Sequence, residues 1–328
     1  MYKSKINVSE TQQATQLLKD SFSLVLAHQM NLIKVPGPLF VNHSDHLNDT
    51  LSDGKPGILF NAKVLKDEQE IVQSLAKWKR MALKKYEYPL HSGLFVDMKA
   101  IRSAEVLDET HSLLVDQWDW EYIIDKSEMN MTTVRKVVDK FFYALKSTED
   151  YINVMYSELE SKLPEKVFYI TSEELYKLYP DKTPKEREKL IVKEHGCVFI
   201  SQVGGIIPGT DQIHDTRAMD YDNLDLNGDL LVYHKVNDQA LELMSMGIRV
   251  DREALIKQAN IDLNQIDSLP KYYQMIINDE LPLTIGGGLG QSRLAMFLLE
   301  KAHIGEVQVS SWDKDYIEEL KENNIHLL

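Results

Sequence analysis

The sequence contains a single cysteine, Cys197, and no group of cysteines and histidines with the spacing of a structural zinc site. One cysteine cannot form an intramolecular disulfide, which is typical of proteins kept in a reducing compartment. The apolar runs are far shorter than a bilayer requires, and the N-terminus has no charged and apolar leader with a small-residue cleavage site. We therefore expect a soluble, cytoplasmic protein with no membrane partner.

Basic residues are also scarce. The 328 residues include 37 Lys and Arg against 51 Asp and Glu, which gives a net charge of -14. Such a chain repels a phosphate backbone, so we expect no nucleic-acid partner. The histidines and the cysteine show no nucleophile arrangement, so covalent catalysis by cysteine or serine has little support.

Hydrophobic residues make up 43% of the chain, which is enough to bury a substantial core. Periodicity predicts a first helix near Ser9, with Gln12 completing a capping box, and further helices over residues 71–83, 132–159 and 251–264. Strands are predicted in "SLLVDQWDW" and "CVFISQVGG", at the start of "KVFYITSEEL", and around residues 230–233 and 241–248. Strands flanked by helices without strict βαβ repetition favour a largely antiparallel sheet. Because no linker, repeat or low-complexity tract is visible, we predict one α+β domain over residues 1–328.

The helix predicted over residues 71–83 contains two lysines with different surroundings. Its periodicity places Lys79 on the apolar face and makes Lys77 point away from it. A lysine whose stem lies on apolar surface can extend its ammonium group to solvent. Lys79 is therefore either such a surface residue or part of a functional site.

Polar residues alternate with tryptophans in the predicted strand "LLVDQWDWE". Strand geometry places Gln117 and Asp119 on one face, and Asp116, Trp118 and Trp120 on the other. An amide oxygen beside a carboxylate suits an ammonium group, because both accept hydrogen bonds from it. The alternative is the solvated face of an edge strand.

A run of glycines between residues 286 and 290 is predicted to form a turn between a strand and a helix. Glycines let the backbone approach a ligand closely, and Arg293 would lie in the opening turn of the following helix. The spacing differs from the dinucleotide-binding fingerprint, and no phosphate-binding lysine follows. Tight packing is the alternative explanation of the run.

Acidic residues are concentrated between residues 215 and 242, in and between the predicted strands. Carboxylates from adjacent strands can hold Mg²⁺ on a triphosphate. In a chain this acidic, surface carboxylates are the ordinary case, and only convergence would make them ligands. The residues concerned are Asp215, Asp220, Asp222, Asp229 and Glu242.

Six segments resemble, in order and at compatible spacing, the motifs of the aspartate–ammonia ligases, which are ammonia-dependent asparagine synthetases. The resemblance runs from the first helix to the C-terminus, and six ordered motifs are far more specific than any one of them. The segments are "SLAKWKR" from Ser74, "DQWDWE" from Asp116, "DYD" from Asp220, "LNGDLLV" from Leu226, "SMGIRVD" from Ser245 and "GGGLGQSRL" from Gly286.

The resemblance implies a fold like the catalytic domain of the class II aspartyl- and asparaginyl-tRNA synthetases. That fold has a largely antiparallel sheet of six to eight strands flanked by helices, and the family forms homodimers. The segment "NLIKVPGPLF" resembles the dimer-interface motif of the class. Arg217 resembles the arginine of the second class motif, and Arg293 the arginine that ends the third.

The reaction implied by the resemblance joins aspartate, ATP and ammonia to give asparagine, AMP and pyrophosphate through a β-aspartyl adenylate. A carboxylate resists attack by ammonia, and adenylation supplies a good leaving group. Such an enzyme needs positioning and charge neutralisation rather than a covalent nucleophile.

The resemblance also assigns residues to aspartate. Lys79 and Arg102 would bind its carboxylates, and Gln117 and Asp119 would lie near its α-ammonium group. Asp49, in a polar loop over residues 42–57, would lie close to the reacting β-carbon and orient ammonia or accept its proton. The implied substrate-binding residues are Ser74, Lys79, Arg102, Gln117, Asp119 and Ser245, and the implied catalytic residues are Asp49, Lys79, Arg102 and Arg217.

A second implied set belongs to ATP and its metal ion. Arg217 and Arg293 would bind phosphate and stack on adenine, and Arg249 would assist them. Asp229 and Glu242 would hold Mg²⁺. The implied ATP-binding residues are Arg217, Asp222, Asp229, Glu242, Arg249, Gly290 and Arg293.

Some positions depart from the family pattern. Gln73 replaces an expected histidine, Met244 replaces a small polar residue, and the segment over residues 221–226 is shorter than usual. Strict strand alternation would place Glu242 and Ser245 on opposite faces. A bulge near Met244 is therefore needed if both residues line one site.

Two other functions remain as alternatives. One is an enzyme like an aminoacyl-tRNA synthetase that activates aspartate for another carrier, although the acidic balance and the lack of a basic N-terminal barrel count against it. The other is an inactive amino-acid or nucleotide sensor. The retention of Arg217, Arg293, Asp229 and Glu242 counts against a sensor, since unpaired buried charges cost stability.

Overall fold

The computed structural model describes residues 2–49 and 57–328. Residues 50–56 of the polar loop predicted over residues 42–57 lie outside this described part. The strands are β1 Leu32–Lys34, β2 Phe40–Asn42, β3 Leu59–Phe60, β4 Gln69–Ile71, β5 Gly93–Ile101, β6 Leu114–Ile123, β7 Phe168–Thr171, β8 Cys197–Ser201, β9 Asp222–His234, β10 Gln239–Arg249 and β11 Thr284–Gly290. The helices are α1 Val8–Met30, α2 Ala76–Lys85, α3 Met131–Met155, α4 Ser172–Leu178, α5 Pro184–His195, α6 Arg252–Gln258, α7 Lys271–Ile277, α8 Gln291–Leu298 and α9 Lys314–Glu322.

Eight of the strands form one sheet in the order β1-β5-β6-β11-β10-β9-β8-β7. The five inner pairs are antiparallel, and only the two edge pairs, β1 with β5 and β7 with β8, are parallel. The predicted α+β fold with a largely antiparallel sheet of six to eight strands is therefore confirmed. The strands β2, β4 and β3 form a separate small sheet.

The main hydrophobic core lies between the sheet and the long helices α1 and α3. Phe22 of α1 packs on Trp118 with ring centroids 4.4 Å apart, and Phe141 of α3 packs on Trp120 at 4.7 Å. Alternation along β6 therefore turns both tryptophans toward these helices. In the described part of the chain, no helix has the length and apolar character needed to cross a membrane.

Four predicted helix boundaries were wrong for identifiable reasons. The helix predicted over residues 132–159 ends at Met155, because the backbone of Tyr156 leaves the helical conformation (φ -132°, ψ 87°). The helix predicted from residue 71 begins at Ala76, because Ile71 pairs with Phe40 in the small sheet. The first helix is capped by Asn7 and Glu10 rather than by Ser9 and Gln12. The helix predicted over residues 251–264 ends at Gln258, since the backbone turns left-handed at Asn260 (φ 50°).

The glycine run and the short segment over residues 221–226 are both extended. The glycine run is not a turn but forms most of β11, which is paired on both sides by β6 and β10. The segment over residues 221–226, which is shorter than usual in the family, lies mostly in β9, because this strand begins at Asp222. Both strands are longer than periodicity predicts because pairing with distant neighbours, rather than local sequence, stabilises them.

The bulge that the sequence requires is present in β10. Glu242 pairs with Leu231 of β9, but Met244 pairs with the adjacent Leu230, so Leu243 is the extra residue. This insertion shifts the alternation by one position. Glu242 and Ser245 consequently face the same cleft, as the sequence analysis predicted.

Candidate active site

A cleft of about 490 Å³ lies against β6, β10, β11 and the start of α8. Its walls carry four basic side chains from separate parts of the chain and four acidic ones; these are Arg102, Lys185, Arg217 and Arg293, and Glu105, Asp116, Asp215 and Glu242. A lining of both signs suits a ligand that brings phosphate or carboxylate groups together with an ammonium group or a metal ion. The predicted substrate- and ATP-binding residues that line it are Arg102, Gln117, Arg217, Glu242, Ser245, Gly290 and Arg293.

The remaining predicted residues do not line this cleft but lie beside it in a buried polar cluster. Three connections join the cluster to the cleft. Arg217 is ion-paired with Asp229, Asp119 pairs in register with Gly288, and the Tyr221 ring lies 5.7 Å from the guanidinium of Arg249. The cluster contains Asp49, Ser74, Lys79, Asp119, Asp222, Asp229 and Arg249.

Lys79 is completely buried, so it is not a surface lysine that reaches solvent. Its ammonium group donates to the Asp119 carboxylate, to the Trp120 carbonyl at 2.9 Å and, weakly, to the Gly287 carbonyl at 3.4 Å. The other Asp119 oxygen accepts from the Leu75 amide at 3.2 Å. The side chain of Asp119 is thus fixed from two sides.

The glycines of β11 make room for side chains of β6. A Cβ atom at Gly288 would lie closer than 3.0 Å to Oε1 of Gln117, and one at Gly286 would collide with the Glu121 carboxylate. Tight packing therefore explains these two glycines, and the side chains they admit belong to the site. Gly290, at the end of the strand, lines the cleft next to Arg293.

Arg249 is at the centre of a buried ion-pair network. Its guanidinium donates to Glu121 at 2.8 and 3.0 Å and to Asp222 at 2.5 Å, and Thr284 donates to Glu121 at 2.7 Å. Burial opposes ionisation of Glu121, but Arg249 outweighs it and holds the pKa of this carboxyl below its usual value. The sequence analysis missed Glu121, although alternation places residue 121 on the face of residues 117 and 119.

Asp229 is held between a cation and an acidic neighbour. One of its oxygens accepts from Arg217, which also donates to Asp215 at 3.2 Å. Its Oδ1 is buried and has no hydrogen-bond partner within the described residues. Burial raises the pKa of Asp229 to about 6, and the Glu242 charge adds to this effect while Arg217 opposes it.

Two cleft arginines differ in how they are held. Arg293, in the first turn of α8 as predicted, donates to Nε2 of His111 at 3.0 Å and to the Glu242 carbonyl at 3.1 Å. Because Nε2 accepts this bond, Nδ1 of His111 carries the proton and donates to Asp108 at 2.8 Å. The Nε of Arg102 is buried without a partner among the described residues, and desolvation lowers the pKa of this arginine. His111 was not identified from the sequence.

Asp49 is almost fully buried, with 1% of its surface exposed. Its Oδ2 accepts from the Ala76 amide at 3.2 Å, at the N-terminus of α2. Burial raises the pKa of Asp49 to about 6, although the charge of Lys77 opposes this rise. Lys77 lies on another side of α2 from its apolar face, but it is buried against acidic residues rather than exposed to solvent.

The chain matches proteins of one family along its whole length. The sequence model described as aspartate-ammonia ligase matches residues 9–324. A protein of Clostridium perfringens named aspartate–ammonia ligase is 50% identical over 329 residues, with 100% of this chain and 97% of the relative covered. A Pediococcus pentosaceus protein of the same name is 44% identical and is covered to 98% of its length.

Solved structures show the same fold at low sequence identity. The asparaginyl-tRNA synthetase of Pyrococcus horikoshii complexed with asparaginyl-adenylate has a TM-score of 0.63 and 14% identity, over 91% of this chain and 68% of that one. The Entamoeba histolytica asparaginyl-tRNA synthetase, also with asparaginyl-adenylate, has a TM-score of 0.60 and 15% identity, over 92% and 66%. The predicted class II synthetase-like fold is confirmed, and the full-length sequence matches establish that this chain belongs to the aspartate–ammonia ligase family.

Proposed function

We propose that the protein converts aspartate and ammonia to asparagine, with ATP cleaved to AMP and pyrophosphate through a β-aspartyl adenylate. The observation that carries the proposal is one cleft in which three arginines lie beside Gln117 and the Asp119 cluster. Arg217 and Arg293 suit the phosphates of ATP, Arg102 suits a carboxylate of aspartate, and the acidic end suits its α-ammonium group. All these residues belong to one catalytic domain, which we take to span residues 1–328.

The arginines of the cleft are proposed to bind ATP. Arg217 and Arg293 would contact the phosphates and the adenine, and His111 would keep the Arg293 guanidinium oriented. Arg249, held by Asp222, lies behind them under Tyr221. Positioned cations stabilise the negative charge that develops during adenylation, and they need no covalent intermediate with the protein.

Aspartate is proposed to bind at the end of the cleft formed by Gln117, with Ser245 and Ser74 completing the pocket. Among the described residues, the buried Nε donor of Arg102 has no partner, which suits a substrate carboxylate. Lys79 already uses its three donors, but the bond to Gly287 is the weakest at 3.4 Å. A substrate carboxylate would replace that carbonyl while Lys79 continued to hold Asp119.

Asp229 and Glu242 are proposed to hold Mg²⁺. The Oδ1 of Asp229, which has no partner in the described part of the chain, fits this role because a cation would satisfy it. Within the described chain, no three acidic, histidine or cysteine side chains converge as a metal cage. One or two carboxylates are nevertheless sufficient where the nucleotide phosphates supply further oxygens. The ion would neutralise phosphate charge when bound.

Ammonia is proposed to reach the adenylate beside Asp49. The proposed nitrogen donor carries a surplus proton after attack, and a buried carboxylate with a pKa near neutrality suits its removal. Cytoplasmic location and a homodimer belong to the same proposal. The dimer would use the segment around β1 and β2, where Ile33, Leu39 and Phe40 expose apolar surface.

The test is asparagine formation from aspartate and Mg-ATP, with ammonium chloride or glutamine as nitrogen donor and with AMP and ADP separated. Ammonia-dependent asparagine together with AMP and pyrophosphate is the expected result. Aspartate-dependent exchange of pyrophosphate into ATP without asparagine would instead support an enzyme that loads another carrier. Binding of aspartate and ATP without either reaction would support the sensor.

A further inference from the structure

Lys77 of α2 is an unusually enclosed cation, with 4% of its surface exposed. Its Nζ lies 2.6 Å from Asp220 and 3.9 Å from Oδ1 of Asp49, and 5.5 Å from the centre of the Tyr273 ring. A buried ammonium group is retained only where nearby charges compensate its desolvation. The lysine therefore belongs to the acidic surroundings of Asp49 and not to the helix surface.

The two carboxylates around Lys77 are held differently. Asp220 accepts from Lys77 and also from the Tyr273 hydroxyl at 2.6 Å, both at Oδ2. Asp49 accepts from the Ala76 amide at Oδ2, and a hydrogen bond from the Ser74 side chain also favours its ionised form. Within the described residues, its Oδ1 has no hydrogen-bond partner. Asp220 thus anchors the ammonium group of Lys77 at 2.6 Å, while Asp49 lies 3.9 Å from the same group and interacts with its charge without a hydrogen bond.

We infer that Lys77 is a positioning residue for amide formation: anchored by Asp220 and Tyr273, it holds Asp49 as the proton acceptor of the attacking nitrogen. The inference rests on the proposed function. In that step the ammonia nitrogen forms a bond to the β-carbonyl carbon, and the carbon–oxygen bond to AMP breaks, with AMP keeping the electron pair. The surplus proton moves from nitrogen to Oδ1 of Asp49.

The charged groups around Asp49 decide how its titration responds to substitution. Lys77 and Arg249 favour its ionised form, and Asp220 disfavours it. Tyr221, Tyr272 and Tyr273 also lie close enough to interact with its charge. An opposite charge at about 4 Å lowers a carboxyl pKa by about 1–3 units, so loss of the lysine charge raises it by a similar amount.

Two substitutions give opposite expectations. In Lys77→Met, the acid limb of the pH profile for asparagine formation moves up by about 1–3 pH units. In Asp220→Asn, the acidic neighbour is lost and the lysine charge acts on Asp49 alone, so the limb moves to lower pH. Lys77→Arg keeps the charge and restores the wild-type limb. A purely structural role for Lys77 predicts none of these shifts.

The experiment measures kcat for asparagine at equal concentrations of free NH₃ across pH, alongside aspartate-dependent pyrophosphate exchange. Asparagine formation by Lys77→Met falls more than exchange does, because the defect lies after adenylation. Lys84→Met, an exposed lysine of the same helix, serves as the matched control with unchanged kinetics. If Lys77→Met fails to fold, as judged by circular dichroism, the Asp220→Asn shift decides the question.

The inference would be overturned if the acid limb of the pH profile lay at the same pH in the wild type, in Lys77→Met and in Asp220→Asn. It would also be overturned if Lys77→Met lost pyrophosphate exchange and asparagine formation to the same extent. A wild-type enzyme that yields no asparagine and no AMP would overturn the proposed function instead. The two failures are therefore distinguishable in one set of assays.

Discussion

Removal of the Arg249 charge tests how strongly the site depends on its buried network. In Arg249→Met the side chain keeps a similar length, but Glu121 and Asp222 lose their shared cation. Both carboxylates are nearly inaccessible, at 0% and 3% exposure. Loss of one partner from a buried ion pair costs about 3–5 kcal/mol. Glu121 keeps Thr284 at 2.7 Å and Lys79 at 3.7 Å, so the cost should lie toward the lower end of that range.

The loss should also depend on pH in a defined direction. In the wild type the pKa of Glu121 is lowered, so its stabilising contribution is present above its unfolded pKa and is lost in acid. Without Arg249 the pKa values of Glu121 and Asp222 both rise. As the pH falls, the folded variant takes up protons on these carboxyls before the unfolded chain does, and this uptake stabilises the folded state. The difference in free energy of unfolding between the wild type and the variant therefore becomes smaller at lower pH.

Thermal unfolding followed by circular dichroism, at about pH 7 and about pH 5, measures both effects. A deficit of about 3–5 kcal/mol lowers the Tm by about 4–7 °C in a chain of 328 residues, because the entropy of unfolding scales with chain length. Arg252→Met is the matched control, because this nearby arginine is exposed and, among residues 2–49 and 57–328, donates only to the Ile277 carbonyl. Equal losses in the two variants, or a deficit that does not change with pH, would refute the reasoning.

Two further predictions concern substrate binding. Gly288→Ala places a methyl group against Oε1 of Gln117, and we expect the KM for aspartate to rise about tenfold or more, with a smaller change for ATP. Gly205→Ala, where a Cβ atom meets nothing within 4 Å, is the control, and equal KM values in both variants would contradict the packing argument. His111→Phe removes the acceptor that orients Arg293, and the KM for ATP should rise about tenfold while that for aspartate changes little. Steady-state kinetics with each substrate varied in turn measures both KM values. A larger rise in the KM for aspartate than in the KM for ATP would show that His111 contributes to aspartate binding instead.

The sequence predicted those features of the site that depend on strand alternation. The sequence positions of Trp118, Trp120 and Asp119 were sufficient to assign the tryptophans to one face of β6 and Asp119 to the other. The bulge in β10 followed from the requirement that Glu242 and Ser245 line one site, and the structure places Leu243 as the extra residue. Side chains alternate between the two faces of a strand, so a shift by one position turns a side chain to the other face. The face of each strand residue can therefore be predicted from its position in the sequence.

The features that could not be predicted depend on contacts between distant segments. A helical wheel assumes one buried face, but Lys77 is covered by Asp220 and by Tyr273 of α7 on another side of α2. His111 orients Arg293 from 182 residues away. The early start predicted for α2 failed because Ile71, Val72 and Leu75 fit a helix locally, while Ile71 is paired with β2.

The position of β11 in the sheet has a consequence for how the chain folds during synthesis. This strand pairs with β6 on one side and β10 on the other, yet it includes residues 284–290 of 328. Until it leaves the ribosome, β6 and β10 each present an open edge, and the two halves of the sheet have no strand between them. Open edges recruit other strands, so a nascent chain at this stage is exposed to aggregation. The glycines that admit the side chains of the site are thus also in the segment that completes the sheet.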